Sequence, residues 1–123
     1  MDARIGPRNP LNRRVKLTTR VVILESNGKV RMETIDLGPG GALCLSPAAV
    51  PMGRFFPCRI EIGEGGRRFW VEMEALVVRS EYHAEGYRIG LKFSRINRGI
   101  REALKRFLDE MERRSGRSEE PAG

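Results

Sequence analysis

The sequence predicts a mainly β protein, a small antiparallel β-barrel of six or seven strands with one C-terminal α-helix. Residues 19–94 contain β-branched and aromatic runs with the two-residue period of strands, and clusters of Gly, Pro and Asn separate them. The three- and four-residue spacing of an amphipathic helix follows between residues 100 and 111. Many short strands followed by one helix favour a barrel whose opening the helix covers.

The first half of the chain predicts a hairpin and two further strands. Asn27-Gly28 is a two-residue turn signal between apolar runs, Pro39-Gly40-Gly41 breaks the chain a second time, and residues 47–53 are a loop. The predicted strands of this half are residues 19–26, 29–37, 42–46 and 54–62.

A turn at residues 63–66 precedes a strand with two distinct faces. One face carries Phe69, Val71, Met73, Ala75 and Val77, and the other carries Trp70, Glu72 and Glu74. We expect Trp70 to pack under a helix or loop, because large aromatic side chains on a sheet face are usually covered. After a polar turn at residues 83–86, the last strand alternates Tyr87, Ile89, Leu91 and Phe93 with Arg88, Gly90, Lys92 and Ser94.

One amphipathic helix closes the sequence. Its apolar face consists of Ile100, Leu104, Phe107, Leu108 and Met111, and the pairs Glu102 with Arg106 and Glu110 with Arg114 are predicted on its outer face. Ser94 or Asn97 is the predicted N-cap, and Gly116 is the predicted end.

The chain of 123 residues is expected to form one core. We divide it into a flexible basic N-terminal arm at residues 1–12, a barrel with its helix at 13–114, and a disordered tail at 115–123. Apolar stretches are short and the N-terminus lacks the apolar block of a signal peptide, so we expect a cytoplasmic protein without membrane insertion. Cys44 and Cys58 stand apart in apolar surroundings and are predicted to be reduced core thiols.

The formal net charge of +7 favours an anionic partner, because a positive field concentrates phosphates near the surface. The excess of positive charge lies in residues 1–20, which contain six basic residues and one acidic residue, Asp2. The basic residues are Arg4, Arg8, Arg13, Arg14, Lys16 and Arg20. The alternative interpretation is a solubilising segment without a ligand.

Other function classes find little support in the sequence. His83 is isolated in a polar turn, and Glu72 and Glu74 lack a neighbouring base or nucleophile, so we predict no enzyme, no catalytic residue, no metal site and no cofactor. Aromatic residues make up 7% of the chain and do not form the close platform that stacks bases, which argues against a nucleic-acid partner.

The segment from Asp36 to Gly41, hereafter the glycine-rich turn, has glycine at 38, 40 and 41. Glycine accepts a positive φ and has no Cβ, so we expect backbone amides here to approach a ligand. Gly38 in particular is expected to offer its amide. A purely structural turn is the alternative.

A basic arm, an Asn-Gly hairpin, Asp-Leu-x-x-Gly-Gly-Ala-Leu at residues 36–43, Tyr-Arg-Ile-Gly-Leu-Lys-Phe at 87–93 and a final helix together resemble the PilZ family over about residues 11–112. The resemblance implies a six-stranded barrel that binds cyclic di-GMP through an Arg-x-x-x-Arg arm and an (Asp/Asn)-x-Ser-x-x-Gly turn. Asp36 and Gly41 match the ends of that turn, and Gly38 stands at its serine. Arg14 matches the second arginine of the arm, whereas the first falls on Pro10.

The resemblance implies a ligand site that joins the basic segment to the glycine-rich turn. Its predicted members are Arg8, Arg13, Arg14, Asp36, Gly38, Gly40 and Gly41. Guanidinium groups suit guanine O6 and N7 as well as phosphate, and Asp36 would accept from guanine N1 and N2. The implied function is a second-messenger receptor that relays cyclic di-GMP to a protein partner, and the alternative is an adaptor that does not bind this nucleotide. Two alternatives stay open for the oligomeric state, a monomer or a dimer, and two for the ligand, one molecule or an intercalated pair.

Overall fold

The computed structural model describes residues 13–64 and 66–119, which form seven antiparallel strands and one helix. The elements are β1 (Val15–Lys16), β2 (Arg20–Glu25), β3 (Gly28–Leu37), β4 (Gly41–Ser46), β5 (Phe55–Glu64), β6 (Arg67–His83), β7 (Gly86–Arg95) and α1 (Arg98–Glu119). The prediction of a mainly β fold with one C-terminal helix is confirmed. The predicted arm at residues 1–12, Arg8 included, lies outside the described residues.

The sheet closes on itself. Its strand order is β1-β3-β2-β5-β6-β7-β4, and an additional pairing joins β3 to β4. Strands β3, β2, β5, β6, β7 and β4 therefore form a ring of six. The short strand β1 pairs with the end of β3, where Val15 is opposite Leu37 and Lys16 is opposite Asp36. This pairing holds the start of the described chain beside the glycine-rich turn.

The inward faces of the strands and one face of α1 share a single apolar core. Val71, Met73, Ala75 and Val77 of β6 are buried as predicted, and Leu104, Phe107 and Leu108 bring α1 onto the core. Phe69 was expected on the same inward face but is 51% exposed. It lies close to the β5–β6 hairpin, where it lines a surface groove together with Ala103 and Phe107 of α1.

Several predicted boundaries shift by a few residues. The loop of the first hairpin is Ser26–Asn27 rather than Asn27-Gly28, because Gly28 already pairs with Glu25 and carries a φ of 148°. Asn97 is the N-cap of α1, since its Oδ1 accepts a hydrogen bond from the Ile100 amide at 2.8 Å. Ser94 instead donates to Glu74.

The helix does not end at Gly116. It continues to Glu119, so residues 115–119 of the predicted disordered tail are helical. A glycine inside a helix costs about 1 kcal/mol relative to alanine, which lowers helix stability without ending the helix. On the outer face, Glu110 pairs with Arg114 as predicted and also with Arg113. Glu102 pairs with Lys105 and not with the predicted Arg106.

Strand β3 contains one extra residue relative to β4. The register shifts between Thr34, opposite Cys44, and Asp36, opposite Leu43, which leaves Ile35 without a partner in β4. Because side chains alternate along a strand, this bulge lets the Thr34 side chain point into the core while Asp36 points outward. The bulge therefore sets the orientation of the carboxylate.

The two cysteines are buried free thiols, as predicted. Burial raises the pKa of Cys58 to about 12. Burial, followed by the nearby Cys58 and Asp36, also raises the pKa of Cys44. Both side chains are therefore neutral near pH 7 and act as small apolar core residues.

The break between β1 and β2 is held by the hydroxyl of Thr34. Thr34 Oγ1 donates to the Leu17 carbonyl at 2.6 Å and accepts from the Thr19 amide at 2.9 Å. The Thr34 amide in turn donates to the Thr19 carbonyl at 2.9 Å. Because Thr19 and Thr34 are both buried, water cannot replace these bonds without local opening.

We expect Thr34→Val to lower the free energy of unfolding by about 2 kcal/mol, because it leaves the Thr19 amide and the Leu17 carbonyl unpaired in the core. Urea unfolding followed by circular dichroism measures this change. Thr18→Val is the matched control, since Thr18 is exposed. Equal stability of the two variants would contradict the structural role of the hydroxyl.

Candidate functional site

The glycine-rich turn connects β3 to β4 and is fixed by two backbone hydrogen bonds. The Gly38 amide donates to the Gly41 carbonyl at 2.8 Å, and the Phe93 amide donates to the Gly40 carbonyl at 2.9 Å. Pro39 is fully buried between them. The Gly38 amide, which was expected to be offered to a ligand, is used inside the turn in this structure.

The reason for glycine in the turn also differs from the prediction. The described glycines with a positive φ are Gly28, Gly53, Gly63 and Gly86, so those of the turn do not adopt one. A Cβ at Gly38 would lie 1.9 Å from the Arg13 carbonyl oxygen, and a Cβ at Gly41 would lie 2.2 Å from the Leu91 carbonyl oxygen. Glycine is required at both positions by close approach of another backbone segment.

Arg14 lies across the turn and pairs with Asp36. Its Nη1 is 2.9 Å from Asp36 Oδ1, and its Nη2 is 3.0 Å from the position of a Cβ on Gly41. The Arg14 side chain is 41% exposed and that of Asp36 is 22% exposed, so the pair is accessible from outside. A guanidinium with free donors beside a carboxylate can bind both an anion and a ring with N–H donors.

Arg13 points away from the turn. Its Nη2 lies 2.8 Å from Asp109 Oδ1 and 2.6 Å from Glu112 Oε1, both on α1. Burial lowers the pKa of Arg13, but the hydrogen bonds to Glu112 and Asp109 outweigh that effect and raise the pKa above its ordinary value. Of the predicted site residues, the structure therefore brings together Arg14, Asp36 and the glycines of the turn, and it places the Arg13 guanidinium elsewhere.

Two neighbours of the turn were not singled out from the sequence. Lys92 of β7 is opposite Gly41 and is exposed, and Leu43, opposite Asp36, is partly exposed on the outer face of β4. The alternation in residues 87–93 identified β7 as a strand, but only the β4–β7 pairing shows that Lys92 lies beside the turn. Lys92 adds a second cation to the site.

A cavity of about 710 Å³ lies outside this site. Its lining includes Arg31, Arg59 and Trp70 but no residue of the glycine-rich turn and none of α1. Trp70 is 42% exposed there, so the expectation that a helix or loop covers it is wrong. Arg59 pairs with Glu72 at 3.0 Å, which makes this face a mixed-charge outer surface. The glycine-rich turn is therefore a better candidate site than this cavity, because the Arg14–Asp36 ion pair and two close backbone segments meet there.

Two further properties follow from the described residues. Within residues 13–64 and 66–119, no three His, Cys, Asp or Glu side chains are placed to hold a metal ion. In the same part of the chain, α1 lacks the continuous apolar length that spanning a bilayer takes.

A family model described as the PilZ domain matches residues 8–110. The search of curated proteins returned no match to this chain.

The fold is similar to several solved structures. The Bacillus subtilis inhibitor of motility (MotI/DgrA) aligns with a TM-score of 0.72 and 20% identity, over 82% of this chain and 49% of that one. Escherichia coli YcgR in complex with c-di-GMP gives a TM-score of 0.72 and 17% identity, over 86% and 47%. The PilZ domain of YcgR with c-di-GMP gives 0.65 and 18%, over 86% and 93%. This chain thus spans about half the length of the first two proteins, and at these identities the likeness shows the fold.

Proposed function

Because this chain belongs to the PilZ domain family, we propose that it is a cyclic di-GMP receptor that binds this ligand at the glycine-rich turn and relays binding to a protein partner. The observation that carries the proposal is the Arg14–Asp36 ion pair across that turn. The arrangement joins one residue from the basic segment to the one carboxylate of the turn, as the family pattern requires. PilZ domains are binding modules, and we assign no reaction to this chain.

The two charged groups have complementary roles in the proposed complex. The Arg14 guanidinium can form a planar fork to a phosphate or to guanine O6 and N7. The Asp36 carboxylate can accept from guanine N1 and N2. Lys92 lies beside Gly41 and adds positive charge toward phosphate. Gly38 and Gly41 contribute by allowing Arg13, Arg14 and Leu91 to lie directly against the turn.

Isothermal titration calorimetry of the full chain with cyclic di-GMP tests the proposal. We expect saturable binding with a Kd on the order of 1 μM, which corresponds to a binding free energy of about −8 kcal/mol. Cyclic di-AMP is the control ligand, because it keeps the phosphates and the macrocycle but lacks the guanine O6, N1–H and N2 pattern. Absence of heat and of a thermal shift with cyclic di-GMP at high micromolar concentration, for a folded sample, would rule the receptor out.

An adaptor that does not bind cyclic di-GMP is the second candidate. It is favoured by the internal use of the Gly38 amide at the position of the family serine, and by the engagement of Arg13 with α1. In this case a protein partner would bind the chain with the same affinity in the presence and absence of the nucleotide. Both candidate functions include, as part of the proposal, a cytoplasmic location and a protein partner.

A further inference from the structure

One atom of Arg13 joins the start of the described chain to the helix. Nη2 of Arg13 lies within 3 Å of a carboxylate oxygen of both Asp109 and Glu112. These acids are three residues apart, so they lie on the same face of α1. Arg13 is less exposed than either acid, at 28% against 61% and 59%. The guanidinium thus fills the space between two carboxylates that would otherwise repel each other.

Arg13 and Arg14 are held on opposite sides of the backbone. Val15, the first residue of β1, is buried in the core, while Lys16 is exposed. In extended chain, successive side chains point in opposite directions. Arg13 accordingly shares the helix side with Val15, and Arg14 shares the outer side with Lys16 and reaches Asp36. Both guanidinium groups cannot face the same ligand unless the backbone before β1 turns.

We propose that Asp109 and Glu112 form a latch on Arg13 that competes with the anionic ligand, so that ligand binding through both arginines releases the start of the chain from α1. The inference rests on the proposed function, because it concerns regulation of the same site. In the latched state Arg14 and Asp36 are in place at the turn, and Arg13 is withheld. In the bound state Arg13 turns toward a phosphate, and the acidic pair on α1 becomes free.

The contacts make such an exchange energetically feasible. Exposed ion pairs contribute little net stability, so a contact with a phosphate can replace them. The latch is therefore weak enough to open and strong enough to reduce the population that is competent to bind.

The release of Arg13 also explains how ligand binding could change the contact with a protein partner. Release of Arg13 leaves two adjacent carboxylates on α1 without their cation, which changes the charge of a surface that a second protein can contact. The binding event at the turn would thus alter a different face of the molecule, through one side chain that belongs to both.

The test compares two double variants with equal charge change on the same helix. Asp109→Asn with Glu112→Gln removes the latch, and Glu102→Gln with Glu110→Gln is the control, because these acids pair with Lys105, Arg113 and Arg114 instead. In calorimetric titration with cyclic di-GMP, the latch variant is expected to bind about fivefold more tightly than the wild type. The control variant is expected to gain less than twofold, from the general loss of negative charge.

The same substitutions made in the Arg13→Ala variant separate the latch from a general effect of charge. In Arg13→Ala, the latch substitutions have no cation to release, so their gain in affinity is expected to disappear. An equal gain with and without Arg13, or an equal gain in the control variant, would overturn the proposal.

Amide hydrogen exchange provides a readout that does not depend on the ligand. Without nucleotide, the latch variant is expected to show several-fold faster exchange at β1, which pairs with Leu37 and Asp36, than the control variant. Equal exchange in the two variants would overturn the latch. Failure of every variant to bind cyclic di-GMP would instead remove the proposed function, so the two failures are distinct.

Discussion

Replacing Arg14 by alanine is expected to weaken the binding of cyclic di-GMP about a hundredfold. Arg14 supplies the guanidinium that the structure holds at the glycine-rich turn, 2.9 Å from Asp36. Hydrogen bonds to a charged partner contribute about 1.5–3 kcal/mol, and the loss of a bidentate group falls in the upper part of that range. The substitution also leaves Asp36 without its cation, which adds repulsion toward the phosphates. Calorimetric titration of the purified variant measures the effect.

Two further variants make this measurement specific. Arg31→Ala removes the same charge from the outer face of β3, away from the turn, and is expected to change affinity less than threefold. Arg14→Lys keeps the charge but not the planar fork, so we expect an intermediate loss of about tenfold. A comparable loss in Arg14→Ala and Arg31→Ala would mean that net charge, not the turn, determines binding.

Replacing Gly41 by alanine is expected to lower the free energy of unfolding by about 3 kcal/mol, near the upper end of overpacking effects. The added Cβ would lie 2.2 Å from the Leu91 carbonyl oxygen, and this neighbour is backbone of β7 rather than a flexible side chain. Relief therefore requires that β4 and β7 separate, although six residue pairs join them. Urea denaturation measures the change.

Gly66→Ala is the control for this substitution, because a Cβ at Gly66 would meet nothing within 4 Å. We expect its stability to match the wild type within about 0.5 kcal/mol. If Gly41→Ala were equally mild, the close approach of β7 would not be the reason for glycine, and the requirement would have to come from the ligand.

The fold class was predictable because its evidence is local. Alternation in β6 and β7, and the three- and four-residue spacing in α1, are properties of short segments that packing preserves. The exposure of Phe69 and Trp70 was not predictable in this way. A two-residue period assigns a side chain to one face of the sheet but does not say whether another element covers that face.

The candidate site was predictable in part for a related reason. Asp36, Gly41 and Arg14 were singled out by a family pattern, and the structure brings them together. The separation of Arg13 from Arg14 depends on where α1 lies, nearly a hundred residues later in the chain, and no local signal in the sequence contains that information. The reason for glycine at 38 and 41 was missed likewise, since it depends on backbone segments that approach from elsewhere.

The bulge in β3 has a consequence for how the length of this strand can change. Substitution of Ile35 leaves the count of residues between Thr34 and Asp36 intact, whereas deletion of Ile35 would restore simple alternation with β4. The Asp36 carboxylate would still point outward after that deletion, because Asp36 would directly follow the inward Thr34. Regular pairing of Ile35 with β4 would instead turn Asp36 toward the core. We therefore expect this segment to tolerate substitution or deletion of residue 35, and not a register in which Ile35 instead of Asp36 pairs with Leu43.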